Sequence, residues 1–160
     1  RETLEGFQQG FGALPAPTED AGWNEFDHVE VIKAAVAAGM NPRTMEDFFT
    51  IAMGRWASGD HDADYAEPYA DFQARVVAGL ERARDAVGSG QTALVFTSGG
   101  AISAACRHLL DMPPLGAFRI NRVLVNAGFT RVWVGGGRAS LASMNVHSHF
   151  DDAPELLTRR

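Results

Sequence analysis

Residues 92–97 (T-A-L-V-F-T) form an apolar run without polar alternation, and the run stops at Ser98-Gly99-Gly100. A short continuous apolar run bounded by turn residues suits a strand covered on both faces, as in a parallel α/β sheet. The small and apolar residues that follow predict a helix from Ala101 to about Leu110. Ligands of open α/β sheets bind at the carboxyl ends of strands. A helix N-terminus there offers free N–H groups and a partial positive charge to an anion. Ser98, Gly99 and Gly100 stand at that spot. The same residues also fit a plain tight turn with an N-cap serine, and the residues alone weigh the two readings equally. A nucleophile elbow, G-x-S-x-G, is excluded because Phe96 occupies the first glycine position. A Ser98 hydrolase is a weaker reading that needs a histidine beside Ser98.

Ahead of this unit the chain reads as helical. Residues 1–12 look like the tail of a helix ending in glycine, and residues 13–22, with two prolines, form a loop. Over 28–38, Val29, Ile32 and Val36 recur at three- and four-residue intervals, and Gly39 and Pro42 end the helix. The pattern repeats over 43–57 with Met45, Phe48, Phe49, Ala52 and Trp56. After a polar loop at 58–64, a long helix over about 66–87 carries Phe72, Val76, Leu80 and Ala83 on one face. Beyond the proline-containing loop 111–115 the pattern predicts strands at 119–126, 129–134 and 139–146. The first two form a hairpin around Ala127-Gly128, and G-G-G-R makes the next turn. The sum is α/β: a three-layer α/β/α sandwich with a mixed sheet over residues 1–150, then a polar tail at 151–160.

A chain of 160 residues suits one domain. Fourteen basic against twenty acidic residues give a net charge of −6, with Lys33 the only lysine and no basic stripe. Phosphate-backbone binding needs clustered positive charge, so nucleic acid is not an expected partner. No apolar stretch approaches the roughly 18 residues of a membrane span, and no Lys/Arg-flanked apolar leader is visible. Neither a membrane nor a secretory route is therefore expected. The lone Cys106 sits among small helix residues and reads as a packed thiol in a reducing, cytoplasmic setting. The free edge of the strand meander offers a place for a homodimer to pair. The chain opens on Arg1 rather than Met, which reads as a chain with residues upstream of this sequence.

Two further clusters could carry chemistry. In W-N-E-F-D-H (23–28), Asp27 precedes a helix and reads as its N-cap, whereas Glu25 is a poor cap. A carboxyl held beside aromatic groups can stay protonated and act as a general acid, and Glu25 has that setting. His147 and His149, at i and i+2 in N-V-H-S-H-F, would share a face of a strand. H-x-H without an acidic or thiol ligand at matching spacing is a weak metal signal, so hydrogen-bonded structural histidines are the favoured reading. The H-D-A-D stretch at 61–64 reads as a solvated loop. Gly135-Gly136-Gly137 lies between strands and is no dinucleotide fingerprint.

The order of these elements resembles the histidine phosphatase superfamily, the phosphoglycerate mutase-like fold. The resemblance is carried by E-T-L at 2–4, N-E-F-D at 24–27, F-Q-A-R-V at 72–76, L-V-F-T-S-G-G at 94–100, N-A-G-F-T at 126–130 and N-V-H-S-H-F at 145–150. It implies phosphoryl transfer from a small phosphate ester through a phosphohistidine, without metal or organic cofactor. Glu25 then matches the acid that protonates the leaving group. Gly99 and Gly100 match the glycines after the second catalytic histidine, and Asn126 matches a pocket position. Two departures stand out. No Arg-His-Gly occurs in the sequence, and Arg1 lies only two residues before Thr3, where the family arginine stands four before. The second histidine is replaced by Ser98, which donates one hydrogen bond and carries no charge. The resemblance therefore leaves two expectations: a phosphatase whose nucleophile lies upstream, or a degenerate, non-catalytic phosphate-binding or interaction module.

Overall fold

The local chemistry of caps and turns sets the element boundaries. In the computed structural model, which describes residues 2–12, 14–40 and 44–159 without the side chains of Glu2, Met45, Phe48 and Phe49, the Asp27 carboxylate accepts from Val29 N at 2.9 Å and Glu30 N at 3.0 Å. This satisfies two of the orphan donors at the start of a helix and confirms Asp27 as the cap of α2 (His28–Ala37). Thr44 does the same for α3 (Met45–Ser58), accepting from Asp47 N at 3.0 Å. The remaining helices are α1 (Glu2–Phe11), α4 (Tyr69–Ala86), α5 (Gly99–Leu109) and α6 (Pro114–Asn121). Two strands, β1 (Phe129–Gly135) and β2 (Arg138–Val146), pair antiparallel with Val132 opposite Leu141 and Trp133 opposite Ser140. Gly136 and Gly137, at φ 57° and 73°, make the two-residue turn between them, the backbone that matches strand twist and that glycine adopts without steric cost.

The core is aromatic. Trp56 is 1% exposed, its ring centroid 4.9 Å from Phe26, 5.1 Å from Tyr69 and 5.6 Å from Phe72. A buried polar relay joins α4, α5 and α6 beside it. Gln73 Nε2 donates to Ala104 O at 3.0 Å, and the Tyr69 hydroxyl lies 3.3 Å from Pro114 O and 3.4 Å from Gln73 Oε1. Burial pushes the Tyr69 phenol up.

The helix-and-sheet class holds, and several expected elements differ. The predicted strand 119–126 is in part α6. Pro114 sits at its first turn, where the missing N–H costs nothing, and Gly116, Ala117 and Ile120 are buried. In place of the expected mixed sheet, the described residues hold one antiparallel pair. The run 92–97 forms neither helix nor strand, no ladder pairs it among the described residues, and Leu94 and Val95 are 49% and 43% exposed. Its inner end is held by α1, through Phe7 and Phe96 ring centroids 5.4 Å apart. The stripe on α2 is rotated as well: Val31 and Ala35 are buried, whereas Val29 and Val36 are exposed. In the stripe predicted for α3, Ala52 and Trp56 are buried as expected, while Met45, Phe48 and Phe49 fall outside the described side chains. The polar tail returns to the body, where Asn126 N donates to Thr158 O at 3.0 Å and Val125 bridges Arg159. Among the described residues no helix is long and apolar enough to cross a membrane.

Cys106 on α5 is 1% exposed, and burial pushes its thiol up to about 11. Thiolate is the reactive form, so the native protein is expected to resist a thiol-specific disulfide reagent at neutral pH and to react only on unfolding. Rapid labelling of the native protein would contradict the packing of α5.

Candidate functional site

The Ser98-Gly99-Gly100 turn and Glu25 meet although 75 residues of chain separate Glu25 from Gly100. α5 begins at Gly99, and its two leading glycines let its first turn lie against neighbouring side chains. Arg107 and His108 in its last turn complement the helix dipole. Glu25 is fixed from both sides. A 3-10 turn, Ala21–Trp23, precedes it, capped by Asp20, whose carboxylate accepts from Gly22 N at 2.8 Å. The Arg82 guanidinium donates two hydrogen bonds to the same carboxyl and holds it below its usual range. After Glu25, Phe26 enters the aromatic core.

Held this way, the Glu25 carboxylate faces the N-terminus of α5. Its Oε2 accepts from Gly100 N at 3.0 Å and its Oε1 from Phe26 N at 3.1 Å. A helix N-terminus favours negative charge through its free N–H groups and dipole. The approach is possible only because residue 100 is glycine. A Cβ there would lie 1.9 Å from Glu25 Oε1 and 2.8 Å from Phe26 Cε1.

Ser98 is the N-cap residue by backbone position, at φ −94° and ψ 170°, but its side chain makes no capping bond. The Ser98 hydroxyl oxygen is buried with no hydrogen-bond partner among the described residues. Buried polar atoms are almost always paired, so an unpaired hydroxyl at a turn suited to anions is a group with unused donor capacity.

Of the sequence-selected residues, Glu25 and Gly100 thus touch, and Ser98 and Gly99 belong to the same turn. Asn126 is engaged elsewhere. Its Nδ2 donates to Thr158 Oγ1 at 2.8 Å. The asparagine beside the turn is Asn121, with Oδ1 2.6 Å from where a Cβ on Gly99 would stand. Reading 119–126 as a strand hid it. The usable signal was Pro113-Pro114, a helix start eight residues earlier in the chain. His147 Nδ1 lies 2.7 Å from Asn145 O, and the His149 ring packs on Phe129 and Phe150. In the 61–64 loop, Asp64 pairs with Arg55. Among the described residues no three His, Cys, Asp or Glu side chains gather as a metal site.

Comparison with curated proteins and with solved structures gives no match. A family model, in contrast, matches residues 1–147, from α1 through β2 and including both sides of the Glu25–Gly100 contact; the chain belongs to the histidine phosphatase superfamily (branch 1).

Proposed function

We propose that this chain is the larger part of a phosphatase acting on small phosphate esters, with the nucleophilic histidine and its arginine supplied by a segment upstream of Arg1. The observation that carries the reading is the Glu25 carboxyl, 3.0 Å from the Gly100 N–H at the head of α5, in a family whose chemistry needs an acid beside a phosphate site. In the proposed reaction a histidine nitrogen attacks phosphorus and the ester P–O bond breaks. Glu25, in the protonated form that the reaction requires, gives its proton to the departing oxygen. Water then attacks the phosphohistidine, Glu25 takes the water proton, and inorganic phosphate leaves. Ser98 donates its unpaired hydroxyl to a phosphoryl oxygen, and the Gly99 region contributes backbone N–H groups. Fixed donors aimed at developing charge are the main source of rate in such transfers.

The same proposal makes Thr92–Thr97 an inner strand of a three-layer α/β/α sandwich, its edges paired by the upstream segment. The apolar exposure of Leu94 and Val95 supports this, because such a run is stable in water only when covered. The enzyme would act in the cytoplasm on small molecules.

One observation favours the second reading, a non-catalytic phosphate-binding module: Ser98 stands where the family carries its second histidine, so one positive charge is lost. The full-length protein, incubated with a radioactive phosphate donor, decides between them. Acid-labile phosphohistidine together with hydrolysis of an aryl phosphate is the expected result. If neither forms while inorganic phosphate still binds by equilibrium dialysis, the module reading stands in its place.

A further inference from the structure

We propose that Arg75 is a positioning residue for Glu25, a clamp that holds the loop 21–25 by its backbone and so aims the carboxyl at Gly100. The inference rests on the reading of Glu25 as the proton donor. Arg75 stands on α4 in the F-Q-A-R-V stretch, and its guanidinium is itself locked. Nε and Nη2 form a fork on the Glu67 carboxylate, with Nη2 to Oε2 at 2.9 Å. Its Cζ lies 4.8 Å from the Phe72 ring centroid. A planar guanidinium pinned by a bidentate carboxylate is a rigid donor array.

The rest of that array goes entirely to one loop. Nη1 donates to Asn24 O at 2.7 Å, to Gly22 O at 3.2 Å and to Ala21 O at 3.4 Å. Nη2 reaches Glu25 O at 3.4 Å. The one carbonyl of the stretch that Arg75 leaves, Trp23 O, accepts from Thr97 Oγ1 at 2.6 Å. Every carbonyl from residue 21 to 25 is therefore held, four of them by one side chain. Arg82, two turns further along the same face of α4, holds Asp20 at the entrance of the loop. None of these bonds goes to the Glu25 side chain. Arg75 acts on it through the backbone, by fixing where the Cα stands relative to α5. A misplacement of about 1 Å at a reacting group can cost about 100-fold in rate, and this is the effect the clamp prevents.

A stabilising strap and a positioning clamp differ in what they change. Proton donation matters for a poor leaving group and little for a good one. In the full-length protein, Arg75→Met is expected to lower kcat on an alkyl phosphate about 10- to 100-fold, with much less effect on a nitrophenyl phosphate. Arg75→Lys should recover only part, because an ammonium cannot fork onto Glu67 while reaching four carbonyls. Glu67→Gln, which frees the guanidinium without shortening it, should show the same leaving-group dependence. Far-UV circular dichroism checks that each variant folds. Equal losses on both substrates would overturn the proposal.

A second readout separates this inference from the assignment of Glu25. In protein labelled with 15N-glycine, the Gly100 amide shift should follow a carboxyl titration that Glu25→Gln abolishes and Arg75→Met weakens. If Glu25→Gln shows no leaving-group dependence, the acid assignment fails, and the Gly100 titration alone then decides the clamp. An unchanged titration in folded Arg75→Met would overturn it.

Discussion

A Gly100→Ala variant of the full-length protein should lose about two orders of magnitude in turnover of an alkyl phosphate while losing little stability. The added methyl carbon would stand 1.9 Å from Glu25 Oε1 and 2.8 Å from Phe26 Cε1. Of the two neighbours, Phe26 is 6% exposed and wedged between Trp56 and Phe72, with ring centroids at 4.9 and 5.4 Å. The Glu25 side chain is half-buried and has free torsions. The carboxyl therefore gives way and leaves the α5 N-terminus. Overpacking costs about 1–3 kcal/mol, and alanine recovers about 0.5–1 kcal/mol over glycine inside a helix, so the net change in stability stays near 1–2 kcal/mol. Loss of a placed general acid is worth about 10²–10⁴ in rate. Activity should therefore fall far more than stability. Steady-state kinetics beside a urea titration measures both, and wild-type turnover in Gly100→Ala would remove Glu25 from the mechanism.

The parts of the site legible in the sequence are those set by short-range chemistry. Asp27 announced itself as a cap because an aspartate before a helix has one favourable use. Glu25 stood out because a glutamate in the same place has none, and Ser98-Gly99-Gly100 because two glycines after an apolar run mark a close approach. Orientation was harder to read. α2 carries Val29, Val31, Ile32, Ala34, Ala35 and Val36, apolar around most of its circumference, so spacing alone could not choose the face that packs. The strand reading of 119–126 followed the apolar, β-branched residues Ile120, Val123 and Val125. A proline pair at the helix start, and burial of Ala117 and Ile120, outweighed that local preference. That helix is what carries Asn121 to the Gly99 turn. The reach of Arg75 was invisible for another reason. Its five partners lie 8 to 54 residues away in sequence, and nothing local to F-Q-A-R-V encodes them.

The largest single loss of stability should come from Trp56→Ala. Trp56 is 1% exposed and touches four aromatic rings: Phe26, Tyr69, Phe72 and, at 6.4 Å, Phe118. Truncating a buried aromatic of this size to alanine costs about 3–5 kcal/mol, because the cavity left behind collapses only partly. The indole also donates Nε1–H to Glu67 O at 2.9 Å. Its removal leaves that carbonyl without its partner, adding about 1 kcal/mol. Against a typical domain stability of about 5–15 kcal/mol this is a large fraction. With a urea slope of about 2 kcal/mol/M, the unfolding midpoint should fall by about 2 M. Trp56→Phe keeps most of the ring volume and should cost less than half as much. The position also bears on the site, because Phe26 leans on Trp56 one residue from Glu25, and Glu67, whose carbonyl the indole holds, grips Arg75 with its carboxylate. In Trp56→Ala, the fraction that remains folded should therefore show weakened coupling between Glu25 and the Gly100 amide. A midpoint shift below about 0.5 M would mean that the aromatic cluster is not the stabilising centre of the fold.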